Sequence, residues 1–534
     1  MTRVLLSLLL VVSWLTSAGN GEAKVLVIGV DGASWNAIDP MLEAGELPNL
    51  QALIARGGSA DLDTVEPLTS PVVWTSIATG RTPEHHGITD FYSTRATIAV
   101  PTIYERLAAR GTRVGLYEVL MSWPPAPLAN GFVVPAWLRR DETTWPPTAL
   151  DGLTIFRTVY QGKPRNRDYL DQTRVEAAHK AKSWRALVDR FDPEVGALTF
   201  YGVDAVSHRY WHASYPEDFE ADQPAVGEGE RHAVQNALRG VDGSIGEIVA
   251  DLDLSGSDNV IIVSDHGFKA DEEGANVWIT AFEDLLARND LVPGRDPFTL
   301  VSTFFAVTLR VAPGPFEERD PLIEKLQALL DSYRSLDGEP LMRTTVLDVA
   351  ERPADMQRSL YERARQWAIQ KFMAWAFSTK VDPTAQAMVI GLPNSGVLDG
   401  LWPDGEIEAG GVRIPLRQAL ERQRFTGVHD DTAIFIAAGS GIEKQAERGH
   451  LSVLDIAPLV AYLAGSPIPD DLEGRLPLQW ITPDGAEASP AQTISARDWP
   501  KLREPIRIPG TSEDDSGSED PELIERLRAL GYIE

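Results

Sequence analysis

The sequence contains no cysteine among its 534 residues. This absence excludes disulfides, thiolate metal sites and a cysteine nucleophile. Any bound metal must therefore be held by imidazoles, carboxylates, and hydroxyl or water oxygens. Only nine histidines are present, so the position of each one is informative.

Basic residues are also scarce, with 49 Lys and Arg against 78 Asp and Glu and a formal net charge of −29. Such a surface repels polyanions, which argues against a nucleic-acid-binding surface and against docking on anionic lipid. A small anionic substrate is compatible with this charge. A cluster of carboxylates would, however, need bound cations before it could receive a phosphate.

No long apolar run follows the N-terminal one. Arg3 precedes the apolar run Val4 to Leu15, and the small residues Ser17, Ala18 and Gly19 come next. This order predicts a secretory signal, too short to span a bilayer comfortably, with cleavage between 18 and 23 and a retained anchor as the alternative. We expect a periplasmic or secreted protein without stable membrane insertion after signal removal. The sequence does not predict the oligomeric state.

The length suits one large α/β domain with an insertion, or two or three ordinary domains. From about 270 to 425 the sequence changes in character, with mixed charge, scattered Trp, and clusters of Gly and Pro. A sequence pattern typical of a β-strand resumes after this segment. We predict a signal peptide at 1–23, followed by a catalytic core in two parts, at 24–270 and 425–484. An inserted cap subdomain at 271–424 separates the two parts. A polar tail with a terminal helix is predicted at 485–534.

Apolar runs that alternate with helical patterns predict an α/β fold with a mostly parallel central sheet flanked by helices. The predicted strands lie at 24–31, 113–118, 196–202, 259–263 and 432–437. Helices are predicted at 48–56, from about 70, and at 103–110, 172–191 and 231–252. Between 125 and 170 no clear period is present, so loops are expected there.

Several of these strands end in groups that can bind metal. Asp31 follows the first strand, and Asp265 with His266 follows the strand at 259–263. The carboxyl ends of parallel strands share one edge of a sheet, where open α/β sheets bind their ligands. Asp204 and His208 stand four residues apart, so a helical turn would place both on one face.

Two further residues complete the candidate set. Ser70 is expected near a helix N-terminus, where free N–H groups favour an anion. His429 precedes the strand at 432–437. Taken singly, each of these positions also has a structural interpretation as a turn residue, a helix cap or a packing group. His212 continues the four-residue spacing after His208 and is an additional candidate ligand.

Together the set comprises three carboxylates, three imidazoles and one hydroxyl. Nitrogen and oxygen ligands of this kind suit two divalent ions, with zinc favoured and Mn or Fe as competitors. Two ions about 4 Å apart can clamp the entering and leaving oxygens of an in-line displacement. One of them can also hold a hydroxyl as an alkoxide near neutral pH.

The motifs, in this order, resemble the alkaline phosphatase superfamily, and most closely its type I phosphodiesterase and nucleotide pyrophosphatase branch. The matching text runs from residue 24 to about 475 and consists of Val-Ile-Gly-Val-Asp31-Gly, Ser70-Pro with Thr79-Gly80 and Pro83-x-x-His86-Gly87, Asp204-x-x-x-His208, Ser264-Asp265-His266-Gly267 and Gly427-x-His429. The resemblance implies one metal on Asp204, His208 and His429. It implies a second on Asp31, Asp265 and His266, with Ser70 as the bridging nucleophile.

Two departures from the family pattern bear on specificity. Thr69 is adjacent to Ser70, and Thr is common at the nucleophile position in the family. Nucleotide pyrophosphatases carry an Asn shortly after the nucleophile, whereas Val72 and Val73 occupy that region here. The sequence therefore does not predict nucleotide specificity.

The resemblance implies an exported two-metal phosphohydrolase that cleaves phosphodiester or pyrophosphate bonds of a small phosphorylated substrate through a covalent phosphoserine. A phosphomonoesterase or a phospho-group transferase would use the same site, and a non-catalytic binding protein is the alternative from another class. A sulfatase is disfavoured because the text after Ser70 does not fit a Cys/Ser-x-Pro-x-Arg frame. A cofactor-independent mutase is disfavoured by the export signal.

Overall fold

The structure is a computed structural model that describes residues 24–88, 93–136, 143–154, 166–219, 227–280, 286–293, 295–303, 306–312, 314–348, 387–393, 397–398, 401, 405–416, 420–483 and 491–499. The predicted signal peptide at 1–23 and the predicted terminal helix lie outside the described residues. Of the predicted tail, only 491–499 is described.

The strands, in chain order, are β1 Val25–Val30, β2 Gly58–Asp63, β3 Val114–Tyr117, β4 Phe132–Val134, β5 Val195–Phe200, β6 Asn259–Val263, β7 Gly267–Thr280, β8 Phe298–Thr303, β9 Ala306–Val311, β10 Arg334–Ser335, β11 Met342–Asp348, β12 Ala387–Pro393, β13 Glu406–Ala409, β14 Val412–Pro415, β15 Leu420–Asp430, β16 Thr432–Gly439, β17 Gly449–Ser452, β18 Ile468–Pro469 and β19 Thr493–Ile494.

The α-helices are α1 Trp35–Glu43, α2 Pro48–Arg56, α3 Ser70–Thr79, α4 Pro83–His86, α5 Ile103–Ala109, α6 Asn166–Phe191, α7 Gly202–Ser214, α8 Ala233–Val249, α9 Phe316–Asp331 and α10 Ile456–Leu463. Short 3-10 helices span Arg95–Thr97, Pro216–Asp218, Val453–Asp455, Leu478–Trp480 and Ala496–Asp498.

An eight-stranded sheet forms the centre of the described molecule, in the order β17-β2-β16-β6-β1-β5-β3-β4. Strands β6, β1, β5, β3 and β4 pair in parallel, and β16 runs antiparallel to both of its neighbours. Every residue of β1, β5 and β6 is buried, as expected for central strands covered on both faces. The predicted α/β fold with a mostly parallel sheet is confirmed.

The antiparallel direction of β16 has a consequence for the site. The amino end of β16 lies at the sheet edge where the parallel strands end. His429 precedes β16 by three residues, so the chain brings it to the carboxyl edge shared by β1, β5 and β6. A parallel strand in this place would have carried His429 to the opposite edge.

Three strands of this sheet differ from the expectation. Strands β2 and β17 were not predicted, and β4 lies in the stretch from 125 to 170 that was predicted as loops. The α6 helix also begins earlier than expected, at Asn166. The β2 sequence, Gly-Ser-Ala-Asp-Leu-Asp, contains none of the β-branched residues that favour strands. It forms a strand because β16, far along the chain, supplies its hydrogen bonds.

The described residues contain two separate hydrophobic cores. One is built from residues between 25 and 268 and between 433 and 481, and the other from residues between 286 and 416. Strands β7 and β15 pair as a two-stranded ribbon between these regions. The proposed domain boundaries stay a prediction. Among the described residues, no helix has the length and apolar character needed to cross a membrane.

Candidate metal centre

The ends of β1 and β6 supply three side chains of the site. Asp31 follows β1, and Asp265 and His266 follow β6, one strand away in the sheet. All three are fully buried. His266 Nε2 lies 3.7 Å from Asp31 Oδ1 and 3.4 Å from Asp265 Oδ2. The backbone N–H of Gly32 donates to Asp265 Oδ1 at 3.3 Å, which leaves the other oxygen of Asp265 facing His266.

The α7 helix supplies two more side chains of the site. It begins just after β5, and Asp204 lies in its first turn with His208 one turn later. His208 Nε2 lies 3.4 Å from Asp204 Oδ1, so the predicted four-residue spacing does place both on one helix face. Asp204 Oδ1 also lies 3.8 Å from His266 Nε2. The same oxygen therefore faces both the α7 histidine and the β6 strand end.

His429 reaches this group from β15. Its Nε2 lies 3.1 Å from His208 Nε2 and 3.5 Å from Asp204 Oδ1. Its ring stacks on that of His266, with centroids 3.5 Å apart. The three histidines come from three different segments and converge on Asp204.

Ser70 is the first residue of α3 and is fully buried. Its hydroxyl lies 3.5 Å from Asp31 Oδ1 and 3.5 Å from His266 Nε2. The side-chain oxygen of the adjacent Thr69 is buried and has no hydrogen-bond partner among the described residues. Of the two hydroxyls, that of Ser70 is the one in contact with the ligand candidates.

Two overlapping groups could each hold an ion. In one, ligand atoms of Asp204, His208 and His429 all lie within 4.8 Å of one another. In the other, the same holds for Asp31, Asp204 and His266. The first matches the expected set, and the second contains Asp204 where Asp265 was expected. Asp204 belongs to both.

The hydrogen bonds of the imidazoles test whether this centre fits a cation. The Nδ1 atoms of His208, His266 and His429 lie 3.1, 3.1 and 3.0 Å from the carbonyl oxygens of Gly427, Gly267 and Leu68. A carbonyl only accepts, so each Nδ1 carries the proton and each neutral ring turns an Nε2 lone pair into the centre. This is the arrangement that metal-ligating histidines adopt.

The carboxylates point to the same conclusion. Within the described part of the chain, neither oxygen of Asp204 accepts a hydrogen bond, and Oδ2 of Asp265 accepts none either. Buried carboxylate oxygens without donors are strongly disfavoured unless a cation or a proton compensates them. Oxygens and ring nitrogens that face each other with only lone pairs fit a divalent ion.

Proton affinities in the centre are strongly perturbed. Burial, with help from the Asp204 charge, raises the pKa of Asp265 to about 7. Burial and the neighbouring His429 push the pKa of His266 well below its ordinary value. At Asp204 burial opposes ionisation, but the His208 imidazole outweighs it and the pKa is lowered. Burial also opposes charge on His429, yet the Asp204 carboxylate raises its pKa. Asp265 and His429 therefore hold their protons more tightly than isolated side chains do, and a cation bound here would have to displace those protons.

The sequence model of the family described as type I phosphodiesterase / nucleotide pyrophosphatase matches residues 25–371. The chain belongs to this family. Its members are hydrolases, so the chain is an enzyme of that class, and the resemblance read from the motifs is confirmed. No curated protein matches the chain.

Solved structures are similar to this phosphodiesterase-family chain at low identity. Murine and human ectonucleotide pyrophosphatase / phosphodiesterase 5 each give a TM-score of 0.41 with 15% identity, over 86% of this chain and 100% of theirs. Phosphonoacetate hydrolase from Sinorhizobium meliloti gives 0.39 with 16% identity, over 83% of this chain and 96% of its own.

The structure also places the two departures near Ser70 and the additional candidate ligand. Val72 and Val73 are fully buried, so the region where nucleotide pyrophosphatases carry an Asn presents no side-chain amide to a substrate. The candidate ligand His212 lies outside both metal groups. Its Nδ1 is 2.9 Å from the hydroxyl of buried Thr426.

Sequence reasoning missed several contacts of the centre. Trp74 Nε1 donates to Asp31 Oδ2 at 2.9 Å, and no role for this residue was predicted from the sequence. A signal was present, because Trp74 follows Ser70 by four residues and so lies on the same face of α3. The carbonyls of Leu68 and Gly427 were also missed, since backbone acceptors have no signature in the sequence.

Proposed function

We propose that this protein is an exported two-metal phosphohydrolase that cleaves phosphodiester or pyrophosphate bonds through a covalent phosphoserine. The proposal rests on the convergence of seven side chains in one centre, namely Asp31, Ser70, Asp204, His208, Asp265, His266 and His429. Membership of a phosphodiesterase family supports this reaction class.

We assign one ion to Asp204, His208 and His429, and the other to Asp31, Asp265 and His266. Mixed nitrogen and oxygen ligands favour zinc, with Mn or Fe as competitors. When bound, the two ions would supply Lewis-acid stabilisation of the charge that develops in phosphoryl transfer. The imidazoles, held through their Nδ1 protons, keep their Nε2 atoms directed at the ions.

Ser70 supplies the nucleophile. Its hydroxyl lies at the amino end of α3 and points to Asp31 Oδ1 at 3.5 Å. In the first step the Ser70 Oγ–P bond forms while the bond from phosphorus to the leaving oxygen breaks, and the proton lost by the Ser70 hydroxyl passes to the leaving oxygen. In the second step water attacks phosphorus and the Oγ–P bond breaks. One proton of the water restores the Ser70 hydroxyl, and the remaining OH becomes part of the released phosphate. The helix N-terminus stabilises the phosphoryl group in both.

The substrate is a small phosphorylated molecule. With a net charge of −29, the surface disfavours a polyanionic nucleic acid. Buried Val72 and Val73 occupy the region where nucleotide pyrophosphatases carry a polar residue, so no nucleotide is specified as the substrate. The basic, apolar and small residues at the N-terminus support export to the periplasm or the medium.

The nucleophile is tested with Ser70→Ala and its matched control Thr69→Val. We expect Ser70→Ala to abolish turnover of p-nitrophenyl phosphoesters while metal content stays near that of the wild type. Thr69→Val should retain turnover, because that hydroxyl has no hydrogen-bond partner in the described structure. The reverse pattern would move the role to Thr69. Activity in both variants would eliminate the covalent serine route.

Reaction type is tested by comparing substrates. We expect bis-p-nitrophenyl phosphate to be hydrolysed faster than p-nitrophenyl phosphate, since the family name rests on diester and pyrophosphate bonds. A preference for the monoester would indicate a phosphatase. An acceptor alcohol that captures the phosphoryl group in place of water would indicate a transferase.

A further inference from the structure

Trp74 connects the nucleophile helix to the first metal-binding carboxylate. It lies on α3 one turn after Ser70 and is only 5% exposed. Its indole Nε1–H donates to Asp31 Oδ2 at 2.9 Å. The other oxygen, Asp31 Oδ1, faces Ser70 Oγ at 3.5 Å and His266 Nε2 at 3.7 Å. The two oxygens of this carboxylate therefore have separate partners.

An indole N–H is well suited to fix a metal-binding carboxylate. It donates and cannot accept, so it cannot itself bind the ion. It is also neutral, so it orients Asp31 without cancelling the negative charge that attracts the cation. A bond from the indole to Oδ2 leaves Oδ1 as the oxygen directed at the centre. Asp31 would then bind through one oxygen.

The indole is held in place by the strand beneath it. A Cβ built on Gly29 would lie 2.6 Å from Trp74 Cη2 and 2.9 Å from Thr199 Cγ2. Gly29 belongs to β1, two residues before Asp31. The ring thus packs directly on the backbone of the strand that presents Asp31, and only glycine gives it room there.

We propose that Trp74 is a positioning residue that selects Oδ1 of Asp31 as the metal-binding oxygen. This inference rests on the proposed metal-binding function and adds a residue to it. Groups that hold the ligands of a metal typically change its affinity by about 10- to 100-fold when removed. The effect should fall on the ion bound by Asp31 and spare the ion bound by His208 and His429.

The test is metal binding by folded, metal-stripped protein, measured by equilibrium dialysis against zinc. Trp74→Phe keeps an aromatic ring and removes the donor. We expect it to weaken one of two zinc sites by about 10- to 100-fold and to leave the other unchanged. Trp35→Phe is the matched control, since the Trp35 indole is equally buried and donates to the Ala60 carbonyl at 3.3 Å, away from the centre.

A packing role would give a different pattern. If Trp74 merely fills space, Trp74→Phe should lower the melting temperature as Trp35→Phe does, with both zinc affinities unchanged, and the inference would be overturned. The same loss of affinity should be absent in an Asp31→Ala background, because the donor then has no ligand to orient. If the wild type itself bound no zinc, the proposed function would fail rather than this addition to it.

Discussion

His429 Nε2 lies 3.5 Å from Asp204 Oδ1, and this contact joins the end of the β7–β15 ribbon to the first turn of α7. The two residues are 225 positions apart along the chain. The carboxylate raises the pKa of the imidazole against the effect of burial. The pH dependence of metal affinity follows in part from this proton.

Metal affinity should fall as the pH falls below about 7. Asp265 has a pKa raised to about 7 and His429 has a raised pKa, so both hold protons that a cation must displace. The affinity should drop about tenfold per pH unit for each displaced proton. Calorimetry in two buffers of different ionisation enthalpy would detect the released protons. A dissociation constant that is flat across this range, in the wild type and in the exposed-residue control His450→Gln alike, would refute the prediction.

His86 should make folding stability depend on pH. It is fully buried, its Nε2 lies 2.9 Å from Ser76 Oγ, and its Nδ1 accepts from the Ile88 N–H at 3.1 Å. Burial lowers its pKa to about 4 from a value of 6.5. Between these values the unfolded chain binds more protons, so the stabilisation is complete above pH 6.5 and is lost as the pH falls towards 4.

We therefore expect His86→Gln to be less stable than the wild type at neutral pH and to lose much of that deficit in acid. The gap should narrow by about 1–3 kcal/mol between neutral pH and a pH near 4.5, measured by urea unfolding. His232→Gln, at an exposed position, should show no such narrowing. A gap for His86→Gln that does not change with pH would mean that the histidine is not held neutral.

Lys180 should be essential to the fold without binding metal. Its ammonium group is 2.9 Å from Glu118 and 3.5 Å from Glu176, and all three side chains are at most 5% exposed. Burial opposes the charge of Lys180, but the two carboxylates outweigh it and raise its pKa. Lys180→Met would leave two buried carboxylates without a positive partner. This loss typically lowers the free energy of unfolding by about 3–5 kcal/mol.

The control for this change is Lys182→Met, two residues along α6 at an exposed position, which should alter stability by no more than about 0.5 kcal/mol. Chemical unfolding measures both variants. Equal stabilities would show that the buried carboxylates find other compensation. Adding Glu118→Gln to Lys180→Met should recover part of the lost stability, since it removes one of the two unpaired buried charges.

Sequence patterns were sufficient for the centre of the sheet. Asp31 and Asp265 follow unbroken apolar strands, and parallel neighbours bring their carboxyl ends to one edge, so their proximity could be predicted. The spacing of Asp204 and His208 likewise placed both on one helix face. These inferences used only local periodicity and one rule of topology.

Other parts depended on long-range pairing. Nothing local indicates that β16 runs antiparallel, so the arrival of His429 at the centre was expected from family resemblance alone. Strand β2 was missed because its residues favour no strand until β16 pairs with them. The Trp74 bond to Asp31 was missed because a buried tryptophan is usually interpreted through its apolar surface rather than through its N–H.

The most direct test of the account is the metal content of the purified protein. Elemental mass spectrometry should find about two transition-metal ions per wild-type chain. It should find about one in His208→Ala and about one in Asp204→Asn, because both residues belong to the set assigned to the same ion. Asp251→Asn, at an exposed ion pair with Arg185, should retain both ions. A folded wild-type chain that binds no metal after incubation with zinc would contradict the account.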